Sequence, residues 1–304
     1  MNNLKSLFAT TTLLGLFIWN AKAQNSVPRD TSFTVRSTYQ KEKKYRPYIQ
    51  VASVDVDDDI RQSENLVYKT IGQRQLLADI YFPKAAGNHP GILLIFGGDW
   101  RSGSKENVRT MAKAFAANGY VAMAAEYRLS LEAQYPKAVY DLKDAVKYMR
   151  KNANAFGLDE SKVAVLGNSA GGQLATLLGT TNKDKHFESK EDRKLRGQSS
   201  EVQAIIDIDG TLAFHHPESV EGKAAAWWLG GTYEENPKNW EEAAPLNHVG
   251  KNTPPILFLN SALPRFHAGR DDMIKKLDAL KIYHETHTFE DTPHPFWFFH
   301  PWFN

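Results

Sequence analysis

Ser169 stands in Gly167-Asn168-Ser169-Ala170-Gly171-Gly172, a G-x-S-x-G run that can present a hydroxyl for nucleophilic attack. A serine hydroxyl is a weak nucleophile until a neighbouring base takes its proton. The sequence around the run suits that use. Lys162-Val-Ala-Val-Leu-Gly167 reads as a buried strand, and Leu174, Leu177 and Leu178 mark a helix directly after it. So abrupt a turn leaves no room for Cβ bulk at the flanking positions, hence the glycines. The helix aims its first N–H groups at the turn, where they favour a developing negative charge. Phosphate binding is the other use of a glycine-rich turn, but neither G-x-G-x-x-G nor a Walker pattern occurs.

The elements that must position this turn follow from hydrophobic period. Gly91-Ile-Leu-Leu-Ile-Phe96 and Tyr120 to Glu126 are short apolar runs, read as strands buried on both faces. Leu66 to Ile71 and Gln75 to Phe82 form a hairpin across Gly72-Gln73-Arg74, and Tyr48 to Val56 alternates like a further strand. Residues 24–46 are polar and read as an extended arm. Val108, Met111, Ala112 and Phe115 predict a helix closed by Asn118-Gly119, and Val139 to Phe156 a long amphipathic helix closed before Gly157. Residues 182–201 carry many charges of both signs and read as a solvated surface insertion. Strands at Val202–Ile208, Pro255–Leu259 and Ile282–Phe289 follow, with helices around Trp227 and Trp228 and from Met273 to Leu280. Strands alternating with helices imply an α/β fold: a mainly parallel twisted sheet with helices on both faces.

The chain has 304 residues and no cysteine, which excludes disulfides, a catalytic thiol and thiolate metal sites. Lys5, the apolar run Leu7 to Trp19 and Ala21-Lys22-Ala23 predict a signal peptide over residues 1–23 and a periplasmic or secreted protein. That run is shorter than the roughly 20 apolar residues of a membrane span, so no membrane anchor is expected. The net charge is +2, and Lys5 and Lys22 lie in the leader, so nucleic acid is not an expected partner. The expected organisation is a signal peptide (1–23), an N-terminal arm with a first strand (24–65) and a catalytic domain (66–304).

Phe96-Gly97-Gly98-Asp99-Trp100 resembles the H-G-G-G-W loop of esterases related to hormone-sensitive lipase and of bacterial feruloyl and acetyl esterases. Glu126-Tyr127-Arg128-Leu129, Tyr135-Pro136, Asp141, Phe156-Gly157-Leu158-Asp159, Gly230-Gly231-Thr232 and Ala244-Pro245-Leu246-Asn247-His248-Val249 agree in order and spacing, over about residues 66–300. The resemblance implies an α/β-hydrolase fold, with an oxyanion hole made by the backbone N–H groups of Gly98, Asp99 and Ala170. Phe96 replaces the family's bracing histidine and Asp99 its third glycine. A carboxylate beside an oxyanion opposes catalysis, so the Asp99 side chain is expected to turn away, toward Arg101.

The same resemblance puts the catalytic histidine at His294, in Asp291-Thr-Pro-His294-Pro-Phe-Trp297, where it can take the serine proton and return it to the leaving alcohol. The family's acid follows the seventh strand, just before Pro-Arg, but Leu263 stands there. Asp209, at the carboxyl end of the sixth strand, lies on the rim that carries catalysis in open α/β sheets. The expected triad is Ser169–His294–Asp209, with Asp207, Glu290 and Asp291 as rival acids. Asp271 and Asp272 suit the start of the following helix.

The resemblance implies carboxylic ester hydrolysis without metal or cofactor. Exported relatives act on acetyl, methyl or feruloyl esters of plant polysaccharides, so the expected partner is an ester-bearing carbohydrate. Trp100, Trp227 and Trp228 offer flat apolar faces to a sugar, while Pro295 to Phe303 reads as a core-packed C-terminal helix. Arg265, with His267 and Arg270 nearby, points to a uronic-acid polymer such as pectin. The alternatives are a peptidase or lipase on the same fold, and a binding protein on an inactivated hydrolase fold. No extra propeller domain or apolar lid is visible for the first. Leu263, Phe96 and Asp99 favour the second; the intact serine turn and His294 oppose it.

Overall fold

The computed structural model describes residues 30–56, 58–191, 193–220 and 222–303. The leader-like residues 1–23 lie outside these. The main sheet has eight strands: β1 (Ile60–Ile71), β2 (Arg74–Pro83), β3 (His89–Ile95), β4 (Val121–Ala125), β5 (Leu158–Asn168), β6 (Ala204–Ile208), β7 (Ile256–Ser261) and β8 (His284–Phe289). Their order across the sheet is β1-β2-β4-β3-β5-β6-β7-β8. β1 pairs antiparallel with β2, and β2 with β4; every other pairing is parallel. All five residues of β4 and the last five of β3 are buried, as apolar runs in central parallel strands should be.

The chain moves outward from β3 to β4 through helix Arg109–Ala117, then reverses to β5 through helix Lys137–Lys151. Right-handed crossovers in opposite directions put those helices on opposite faces. Helix Ala170–Thr180 continues in the second direction and packs against Lys137–Lys151. The reversal places the carboxyl ends of β3 and β5 side by side, with Ile95 opposite Gly167. The loop after β3 and the serine turn after β5 are therefore neighbours.

Three sequence expectations are corrected. The arm read as extended contains a helix, Val35–Glu42. Thr34 and Ser37 cap its start reciprocally at 3.0 Å each way, and Phe33 and Tyr39 pack on Phe298 and Phe299. Of the strand expected over Tyr48–Val56, only Gln50–Val51 pairs, antiparallel with Phe299–His300. The C-terminal aromatics form no α-helix but a single turn, Phe296–Phe298, followed by that short strand.

The 182–201 segment is also no freely solvated insertion. Phe187 and Leu195 are buried, and its acids reach inward. Lys69, with a fully buried side chain, lies 2.8 Å from Asp141, 2.8 Å from Asp144 and 3.1 Å from Glu191, while Arg128 pairs with Asp141 and Glu191 at 2.7 and 2.8 Å. Glu188 takes Lys147, 2.5 Å away. Alternating charges looked like a wet surface, yet their partners come from buried positions of β1 (Lys69), the loop after β4 (Arg128) and helix Lys137–Lys151 (Lys147). Among the described residues no helix is long and apolar enough to cross a membrane.

Candidate active site

Ser169 caps the helix Ala170–Thr180 with φ +55° and ψ −126°, a sparsely populated backbone state for a residue with a side chain. The surroundings impose it. The Ser169 N–H donates to the Ile208 carbonyl at 2.8 Å, fixing the turn to the end of β6. A Cβ on Gly171 would come within 2.2 Å of the Ile95 carbonyl oxygen, so the helix can lie this close to β3 only with glycine there.

The loop after β3 is tied to the same turn. The Gly97 N–H donates to Asn168 Oδ1 at 2.9 Å, and Trp100 Nε1–H donates to Gln173 Oε1 at 2.8 Å. Phe96, in place of a bracing histidine, stacks on Tyr127 at 4.5 Å, and Tyr127 donates its hydroxyl hydrogen to the Phe96 carbonyl at 2.8 Å. Gly98 has φ +130°, and a Cβ there would meet the Ser102 carbonyl oxygen at 2.4 Å. Asp99 follows at φ +53°, the left-handed region that aspartate tolerates better than most side chains, which explains an aspartate where a glycine is usual. Among the described residues, the N–H groups of Gly98, Asp99 and Ala170 donate to no protein acceptor. Asp99 does not turn to Arg101 as expected: Arg101 pairs with Asp30 at 3.0 Å, and the exposed Asp99 lines the cleft beside His294.

His294 and Asp209 meet this serine. His294 Nδ1 lies 2.9 Å from Asp209 Oδ2, and its Nε2 lies 2.9 Å from Ser169 Oγ. An ionised carboxylate only accepts, so the proton belongs on Nδ1, and Nε2 is left to accept from the serine hydroxyl. The buried Asp209 carboxylate also accepts the Ser261 N–H at 2.8 Å on Oδ1. The strand whose end lacks an acid thus supplies the backbone donor that holds the acid of its neighbour. Asn260 Nδ2 also donates to Asp209 Oδ1 at 3.5 Å, and Asn260 Oδ1 accepts from Arg270 Nη1 at 2.9 Å.

The rival acids stand elsewhere. Asp207 is buried against the backbone of Gly172 and Gly210, and burial together with the Asp209 charge pushes its carboxyl well above the usual range. Glu290 and Asp291 are exposed and, among the described residues, neither is hydrogen-bonded or ion-paired to His294, while Leu263 is exposed at the cleft. Of the basic residues after β7, only Arg265 lines the cleft; His267 is buried, and Arg270 turns to Asn260 and Asp271. Trp100 is not positioned to touch a substrate. It is buried flat against Trp228 at 5.0 Å, because both rings fill the core beneath the loop. Trp227 alone of the three is exposed, with the Arg101 guanidinium 5.7 Å from its ring.

Sequence reasoning missed Phe266. Its ring stacks on the His294 imidazole at 3.4 Å and 9°, and the Arg265 guanidinium lies 4.0 Å over the same phenyl. Nothing in a lone phenylalanine after a strand signals this. Among the described residues, no group of three or more histidine or acidic side chains could hold a metal ion.

Residues 78–275 match the BD-FAE family model. Esterase LipC of Mycobacterium tuberculosis is 29% identical over 206 residues, 65% of this chain and 49% of that protein. The chain spans about half the length of the curated relatives it matches. Among solved structures, esterase 2 of Thermogutta terrifontis with propionate bound is 26% identical, with a TM-score of 0.65 over 79% of this chain and 86% of that one. A truncated carbohydrate esterase from gut microbiota shares the fold, with a TM-score of 0.67 at 22% identity over 80% and 92% of the two chains. The arm before residue 78 and His294 both fall outside the family match.

Proposed function

The chain belongs to the BD-FAE family, and on that footing we propose that it is a serine-dependent carboxylic ester hydrolase acting through an acyl-enzyme. His294 Nε2 takes the Ser169 proton as Oγ attacks the ester carbonyl carbon. Asp209 holds the Nδ1–H tautomer and stabilises the imidazolium that forms. The N–H groups of Gly98, Asp99 and Ala170 receive the developing oxyanion at the start of helix Ala170–Thr180. His294 returns the proton to the departing alcohol, and a water activated by the same imidazole releases the acid. The observation that carries this reading is the pair of 2.9 Å contacts on the two sides of His294.

Within that class, the substrate is an ester-bearing plant polysaccharide, carrying acetyl, methyl or feruloyl esters, with pectin favoured. Arg265 at the cleft supports an acidic sugar, and the leader-like residues 1–23 support action in the periplasm or outside the cell. The test compares the protein with Ser169→Ala on 4-nitrophenyl acetate and on acetylated and methylated pectins. Turnover that depends on Ser169, with release of acetate or methanol from pectin, supports the reading. Turnover that survives Ser169→Ala ends it.

A further inference from the structure

The cleft beside His294 is walled on one side by the N-terminal arm. A cavity of about 470 Å³ is bounded by Phe266, Pro293, His294 and Arg265 from the loops after β7 and β8, by Asp99, and by residues 32–46 of the arm. That is the range of volumes that small-ligand sites occupy. The arm is fastened to both catalytic loops. Asp30 pairs with Arg101, Asn107 Nδ2 donates to the Phe33 carbonyl at 3.2 Å, and Arg46 Nε donates to the Asp291 carbonyl at 3.3 Å.

The cavity carries three cations, Lys41, Arg46 and Arg265, against two carboxylates, Glu42 and Asp99. Arg46 is held by Glu42 at 3.1 Å. Lys41 and Arg265 are exposed and have no carboxylate partner among the described residues. Arg265 is already ordered by its packing over Phe266 at 4.0 Å, so it would lose less freedom on meeting an anion. The general acid of an acyl transfer stands next to the leaving oxygen. A cavity walled by His294 and the residues flanking it therefore receives the alcohol half of the ester.

We infer that the arm forms a leaving-group subsite in which Lys41 and Arg265 bind a carboxylate carried by the alcohol half, so that the preferred substrate is an acyl ester on a hydroxyl of a uronic-acid sugar. This rests on the esterase reading above and narrows it. A methyl ester would put only methanol in this cavity and leave both cations unused. An O-acetylated uronate puts its own ring and carboxylate there. Of the two cations, Arg265 lies within the family match and Lys41, on the arm, lies outside it.

The experiment measures kcat/KM for acetylated oligogalacturonate and for acetylated xylo-oligosaccharide, in the wild-type protein, Lys41→Gln, Arg265→Gln and the double variant. Wild type is expected to favour the uronate ester by at least tenfold. Each substitution should lower that ratio by roughly tenfold, the cost of one charge-assisted hydrogen bond of about 1.4 kcal/mol. Added salt should lower it further. A wild-type ratio near one, or a double variant that keeps the wild-type ratio, overturns the inference while leaving the esterase reading intact. Activity on 4-nitrophenyl acetate with none on either sugar ester overturns it as well. Failure to hydrolyse any ester removes the proposed function and this subsite with it.

Discussion

Replacing Asp209 with asparagine should disable the site while leaving its shape. Asp209 accepts from His294 Nδ1 at 2.9 Å on Oδ2, and on Oδ1 from the Ser261 N–H at 2.8 Å and, at 3.5 Å, from Asn260 Nδ2. Asparagine has one oxygen and one NH2 group. The backbone N–H of Ser261 can only donate, so the amide oxygen must stay on it. The NH2 group then faces His294 Nδ1, which can receive it only without its own proton. The ring proton moves to Nε2, which now points an N–H at Ser169 Oγ and cannot take the serine proton. Asp209 sits at φ +51°, where asparagine is tolerated as well as aspartate, so the backbone need not move. The expected loss in kcat is about 10⁴-fold, the effect of the same exchange in the archetypal serine triad, or about 5.4 kcal/mol at 1.36 kcal/mol per decade. The assay is steady-state hydrolysis of 4-nitrophenyl acetate, with melting temperature as the folding control. Glu290→Gln and Asp291→Asn, tested beside it, should stay within about threefold, because neither side chain reaches the imidazole. An Asp209→Asn enzyme within tenfold of native turnover refutes this reasoning, as would collapse in the Glu290 or Asp291 variants alone.

Three further outcomes follow from the same geometry. Phe266→Ala should lower kcat by about ten- to a hundredfold through a less confined imidazole, with KM nearly unchanged, and Phe266→Tyr should restore it; an unaltered kcat in the alanine variant removes the positioning role. The raised carboxyl pKa of Asp207 means that the folded state holds a proton the unfolded chain releases above about pH 3.8. Its contribution therefore lowers stability as pH rises from there, and melting curves from pH 4 to 8 should show Asp207→Asn gaining on wild type with pH, parallel curves being the contrary result. Lys69→Met keeps bulk but strands Asp141 and Asp144, and should cost about 3–5 kcal/mol in urea unfolding, whereas a loss below about 1 kcal/mol would mean that Arg128 and Lys147 compensate.

The parts of this molecule legible in the sequence are those set by local chemistry. The serine turn needs glycine at fixed places, and the apolar runs of β3 and β4 need burial on both faces. Asp209 could be nominated because it stands at the carboxyl end of a strand, on the rim that carries catalysis in open α/β sheets. What stayed hidden depends on contacts distant in sequence. Helix Val35–Glu42 is polar, and Phe33 and Tyr39 beside and within it acquire an apolar surface only from Phe298 and Phe299. Trp100 looked like a sugar platform, but Trp228, far along the chain, covers it. The mixed charges of 182–201 read as solvated because their partners on β1, in the loop after β4 and on helix Lys137–Lys151 carry no local mark. Lys41 was hidden for the same reason: nothing short of the folded arm places it beside the histidine loop.

The most direct test of the central claim is covalent trapping of the nucleophile. The protein would be incubated with paraoxon, an organophosphate that phosphorylates an activated serine, and mapped by peptide mass spectrometry. The account predicts one diethylphosphoryl adduct, on Ser169, formed in step with loss of 4-nitrophenyl acetate hydrolysis and slowed by several orders of magnitude in His294→Ala. No adduct at Ser169, or one formed equally fast without His294, would contradict it.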